Sequence, residues 1–70
     1  MVVKVVEVIG ESQTSWADAA QDAVKTTAKS IRGIRGVEAV GWTGEVKNGK
    51  IVRFKTTTKI AFVVEGDIGK

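Results

Sequence analysis

The sequence predicts an α+β domain in which one helix lies across a three-stranded antiparallel sheet, in the chain order strand, helix, strand, strand. Three observations carry this expectation. VVKVVEVI at 2–9 is rich in β-branched residues, the composition of a strand. SWADAAQDAVKTTAKSIR at 15–32 spaces its apolar residues as a helix does. Two long alternating runs flank Asn48-Gly49, a strong signal for a two-residue hairpin turn.

In the first strand Lys4 and Glu7 fall on opposite faces, so neither face is buried along its whole length, and Gly10 is expected to end the run. The helix is expected to start after Ser15 as N-cap, with Asp18 three residues on, close to a capping box. Trp16, Ala20, Ala23, Val24, Thr27 and Ile31 would form its apolar stripe. Its end is expected near Arg32, with Gly33 as the stop and Lys29, Arg32 and Arg35 complementing the helix dipole. A second strand at 36–47 and a third at 50–65 complete the set.

A two-residue turn at Asn48-Gly49 sets Lys47 opposite Lys50. An uninterrupted ladder then places Trp42 opposite Lys55, Val40 opposite Thr57, Glu38 opposite Lys59 and Gly36 opposite Ala61. On this reading Val37, Ala39, Gly41 and Thr43 share the helix-facing core side with Phe54, Thr56, Thr58, Ile60 and Phe62. The second face carries Glu38, Val40, Trp42, Gly44, Arg53, Lys55, Thr57 and Lys59. One helix cannot cover both sides of a sheet. The second face is therefore expected to meet water, a ligand or further copies of the chain. The large aromatic at Trp42 and the long strands favour self-association over a monomer with one wet face.

Composition narrows the chemistry. Residues 1–70 make a single domain, and one of this size buries only about 60% of the surface its unfolded chain exposes. The chain has no Cys and no His, which excludes disulfides, thiolate or imidazole sites for zinc, Fe–S clusters and haem, and the easiest general base. A metal would have to be calcium or another hard cation held by oxygen. The candidates are Glu11, Asp18, Asp22, Glu38 and Glu45, with Glu65 beside them. Asp18 and Asp22, one helical turn apart, read first as an acidic start to the helix.

No serine has a base near it in sequence and no glycine pattern cradles phosphate, so the chain is not expected to be an enzyme. The net charge of +3 comes from Lys and Arg mixed with acids. This reads as a solvated surface ahead of a nucleic-acid interface, although a small basic module binding nucleic acid or protein is the alternative of another class. Arg53, Lys55 and Lys59 could hold phosphates, or pair with Glu38 and Glu45 of neighbouring copies. No apolar run approaches the ~20 residues of a membrane span, and the chain reads as cytoplasmic.

Taken together, VVEVIGESQTSWADAAQDAV, SIRGIRGVEAV and GEVKNGKIVRFKTTTKIAFVVEG resemble the dodecins in order, spacing and length. The resemblance implies a sheet wrapped on one helix and a hollow homododecamer. In flavin-binding members, FMN or riboflavin stacks in pairs between tryptophans and is held by a glutamine; other members bind coenzyme A or calcium. It assigns the ligand face to Gly36, Val37, Trp42, Arg53, Lys55 and Thr57. Two positions depart from the flavin pattern. Gly36 stands where the stacking tryptophan is expected, and Lys55 stands where the ring-bonding glutamine is expected. The implied function is storage or sequestration of small ligands or ions, with flavin binding weakened or lost. A flavin carrier with a modified pocket is the alternative. Trp16 matches a bulky apolar position and Trp42 is expected to fill a contact, over the Lys55 stem or between subunits.

Overall fold

A computed structural model describes residues 1–64; Glu65 and the rest of the C-terminus lie outside the described residues. The elements are β1 (Val2–Ser12), α1 (Trp16–Thr27), β2 (Ile34–Lys47) and β3 (Lys50–Val64). They form the expected α+β arrangement, an antiparallel sheet of order β1-β3-β2 with one helix against it. The longest strand is central and both of its edges are paired. The described chain is elongated, 57 × 19 × 12 Å, because the β2–β3 hairpin runs past the helix.

Gly10 does not end β1 as expected. It pairs with Thr56 inside the strand and is buried under the helix. A Cβ built there would lie 1.9 Å from the carbonyl oxygen of Ala19, so bare backbone is what lets helix and strand touch. Ala19, outside the expected stripe, and Ala23, inside it, are the buried helix residues.

Ser15 caps the helix as expected, its Oγ accepting from the Asp18 amide at 2.9 Å. Ser12 supports the entry by accepting from the Thr14 amide and donating to the Asp18 carboxylate at 2.7 Å. Ser15→Ala should cost about 1 kcal/mol of stability. A shift of the denaturant midpoint without a change of slope is the expected readout.

At its other end the helix stops at Thr27, not near Arg32. The amides of Lys29, Ser30 and Ile31 bond back to Thr26 and Thr27 in tightened turns. Gly33, at φ 76°, lies beyond these turns instead of capping the helix, and its carbonyl accepts from the Val63 amide at 3.0 Å. Only glycine takes that backbone conformation cheaply, and here it ties the entry of β2 to the end of β3.

The turn at Asn48-Gly49 is present, with both residues at positive φ and Lys47 opposite Lys50. The ladder beyond it is interrupted. Register shifts between Glu45 and Val46, between Ala39 and Gly41, and between Ile34 and Gly36 leave Val52, Val40 and Arg35 as extra residues. The first two shifts oppose one another. Glu38 faces Lys59 and Gly36 faces Ala61 as expected, but Trp42 faces Thr56 and Gly41 faces Thr57.

Residues 41–45 consequently turn over relative to the uninterrupted ladder. Trp42 and Gly44 move to the helix side, and Gly41 and Thr43 move to the second face. Trp42 lies beside Trp16 at a centroid distance of 5.7 Å, while Phe54 meets Trp16 edge-on at 4.8 Å. The expected packing of Trp42 over the Lys55 stem is replaced by this aromatic cluster. The Trp16 ring is pinned by its Nε1–H, which donates to the Thr43 carbonyl at 2.8 Å.

The core of one copy is small. Ala19, Ala23 and Ile60 are its buried apolar residues, joined by Thr56 and Thr58. The two hydroxyls are satisfied, donating to the carbonyls of Trp16 at 2.8 Å and Val8 at 2.7 Å. Large apolar side chains remain exposed on all three strands, among them Val3, Val5, Ile9, Val37, Trp42 and Ile51.

Candidate functional site

The face of the sheet away from the helix has nothing over it among the described residues. Along β3 it carries Arg53, Lys55, Thr57, Lys59 and Ala61, because alternate residues of a strand share a face and Thr56, Thr58 and Ile60 point to the helix. β1 sets Glu11 opposite Lys55, Glu7 opposite Lys59 and Val5 opposite Ala61. β2 sets Glu45 opposite Arg53, Thr43 opposite Lys55, Glu38 opposite Lys59 and Gly36 opposite Ala61. The central strand is thus basic and its two neighbours are acidic.

This pattern produces ion pairs inside one chain. Glu45 lies 3.4 Å from the Lys55 ammonium and 4.0 Å from Arg53, and Glu11 lies 3.8 Å from Arg53. Pairing of Glu45 with these cations was expected between neighbouring copies; within a single chain it already occurs. The groups are about half exposed, so each pair contributes little to stability and chiefly orients its side chains. A depression of about 350 Å³ opens beside them, lined by Glu11, Ser12, Gln13 and Arg53.

A second depression of about 230 Å³ lies at the far end of the same face, lined by Val5, Gly36, Val37, Glu38, Lys59 and Ala61. Its floor is aliphatic. A Cβ at Gly36 would meet nothing within 4 Å, so the glycine leaves open space on this face. Val37 pairs with buried Ile60, whose side chain points to the helix, and also lines the depression.

The residues assigned to a ligand face therefore divide. Gly36, Arg53, Lys55 and Thr57 occupy the second face, Val37 borders it, and Trp42 stands on the opposite side. Of the carboxylates, Glu11 and Glu45 converge on Arg53, and Glu38 flanks Lys59. Asp18 is engaged by Ser12, and Asp22 lies exposed on the helix. Among the described residues no three carboxylates gather as a metal site. Glu7, Val5 and Ala61 were not anticipated for this face. Treating the long third strand as central, paired on both edges, exposes them, since Glu7 sits across from Lys59, Ala61 across from Gly36, and Val5 across from Ala61.

The sequence profile of the Dodecin family matches residues 2–65. The chain belongs to the dodecin family. None of the curated proteins matches it. Among solved structures it is similar to the dodecin from Streptomyces coelicolor, with a TM-score of 0.89 and 23% identity over 94% of each chain. It is similar also to the dodecin from Streptomyces davaonensis, with a TM-score of 0.87 and 18% identity over 93% of this chain and 96% of that one. A calcium-chelating antigen from Mycobacterium tuberculosis, a calcium dodecin with a novel calcium-binding site, gives a TM-score of 0.80 and 28% identity over 93% of both chains. In this dodecin the order β-α-β-β and the antiparallel sheet agree with the fold of those relatives. No helix among its described residues is long and apolar enough to cross a membrane.

Proposed function

We propose that this dodecin is a cytoplasmic subunit of a hollow homododecameric particle that stores or sequesters small ligands or ions without catalysis, and that flavin binding is weakened or lost in it. The observation that carries the proposal is the bare second face, with an open depression at Gly36 where the family resemblance assigns a stacking tryptophan. Among its described residues one copy buries Ala19, Ala23 and Ile60 as its apolar core and leaves long strands with exposed Val and Ile on both sides. Sister copies would supply the missing cover.

Gly36 offers no ring to stack on, and Lys55, committed to Glu45, offers donors where an amide would both donate and accept. A flavin carrier with an altered pocket is the second reading, and it draws on the same depression. A hard cation such as calcium would take carboxylates from more than one copy, because the described carboxylates of one chain do not converge.

Native mass spectrometry and riboflavin titration on one sample test both parts. A mass near twelve copies is expected, together with little quenching of flavin fluorescence at sub-micromolar concentration. A monomer would overturn the particle, and deep quenching would return the flavin carrier to first place.

A further inference from the structure

The charges of the chain are sorted by face and by end, which its mixed order in sequence conceals. On the second face Arg53, Lys55 and Lys59 are outnumbered by Glu7, Glu11, Glu38 and Glu45. The net excess of +3 must therefore come from elsewhere. It gathers where the helix ends. Lys25 lies in the last turn of α1, and Lys29 and Arg32 lie in the connection to β2. Arg35 occupies the bulge at the start of β2, and Lys4 faces Phe62 across from Ile34.

The topology brings these five to one end, because α1 runs back from the end of β1 toward its start. All five are exposed, and none is in an ion pair among the described residues. Of the acids of the helix, Asp18 is in the first turn and Asp22 is near its middle, three residues before Lys25. Setting Asp22 and the Glu65, Asp67 and Lys70 of the C-terminus wholly against this group still leaves a surplus of three positive charges.

We infer that this end of the molecule is a docking surface for the phosphate backbone of nucleic acid. Complementing the helix dipole accounts for Lys25, in the last turn, but not for Lys29, Arg32, Arg35 and Lys4, which stand outside the helix. Two of the five are guanidinium forks, which bind two phosphate oxygens at once. The five are divided among β1, α1, the connection and β2, spread over a surface as successive phosphates are, and do not line either depression of the second face. Contacts of this kind carry affinity without reading sequence.

An anionic membrane is the competing partner, since Val2 and Val3 are exposed at the same end. Surfaces that lie on membranes use aromatic residues on their apolar face, and here Trp16, Trp42 and Phe54 cluster at the opposite end of the helix. The surface is separate from the second face, so the inference goes beyond the ligand reading, and a native mass taken alongside keeps the two apart.

The test is fluorescence anisotropy of a labelled mixed-sequence DNA duplex of about 20 base pairs, titrated with the full chain at several salt concentrations. Four phosphate contacts per site would weaken binding by about 100-fold between roughly 50 and 200 mM salt. Lys29→Glu with Arg32→Glu should weaken it at least about 10-fold. Lys47→Glu with Lys50→Glu, at the hairpin tip, changes the net charge equally and should leave binding within about 2-fold. All four residues are exposed, and circular dichroism verifies the fold of each variant. Equal loss in both pairs would reduce the effect to net charge and overturn the inference. So would failure to bind duplex at low salt, or binding to phosphatidylserine vesicles without binding to duplex.

Discussion

Gly10→Ala is expected to cost at least about 3 kcal/mol, enough to leave much of a domain this small unfolded. The added methyl would sit 1.9 Å from the Ala19 carbonyl oxygen and 3.1 Å from the Ala23 Cβ. Backbone stands in the way, so no change of rotamer relieves the clash. The helix has to lift, which strips cover from Thr56, the residue facing Gly10 and bonded to the Trp16 carbonyl. Gly36→Ala is the matching control. Its methyl enters open space, and stability should change by less than about 0.5 kcal/mol. Denaturant unfolding followed by circular dichroism reads both. Near-equal midpoints for the two variants would refute the seating of the helix on Gly10.

The second large effect is a gain. Gly36→Trp combined with Lys55→Gln should raise affinity for riboflavin and FMN by about 5- to 150-fold, the equivalent of the ~1–3 kcal/mol typical of stacking on one aromatic ring. Room exists for the indole at Gly36, and an aromatic residue suits a strand. Lys55→Gln gives up a half-exposed pair with Glu45 and supplies an amide able to donate and accept. Flavin fluorescence quenching measures the gain. An unchanged dissociation constant in the double variant would mean that these two positions are not what separates this chain from flavin binding.

Much of the fold could be read from local chemistry. Asn48-Gly49 sets its turn because both residues accept positive φ, and Ser15 caps the helix because its oxygen reaches the amide three residues on. These signals are complete within a few residues. What escaped depends on distant partners. The bulge at Val52 carries no mark in its run of strand-forming residues, yet it reverses the side on which Trp42 stands, and the bulge at Val40 restores the register beyond it. Ile31 keeps the helical period and so points to a helix as far as Arg32, whereas the chain leaves the helix after Thr27 to reach the edge position of β2. Gly10 looks like punctuation in sequence because a glycine's role depends on what approaches it, and Ala19 is nine residues away.

The ligand face divides along the same line. Gly36, Lys55, Arg53 and Thr57 follow from alternation along strands and stand together on the second face. An uninterrupted count of register places Trp42 with them, but the ladder is broken twice between the turn and Gly36. The opposition of acidic edge strands to a basic central strand required knowing that β3 pairs on both sides.

A core of two alanines, one isoleucine and two bonded threonines has a calorimetric consequence. Heat capacity rises on unfolding mainly because apolar surface becomes wet, and a single copy keeps little of that surface dry. Nearly all of the curvature in its stability against temperature must then arise wherever the exposed valines and isoleucines find cover. If sister copies supply that cover, as proposed, dilution and heating act on the same reserve.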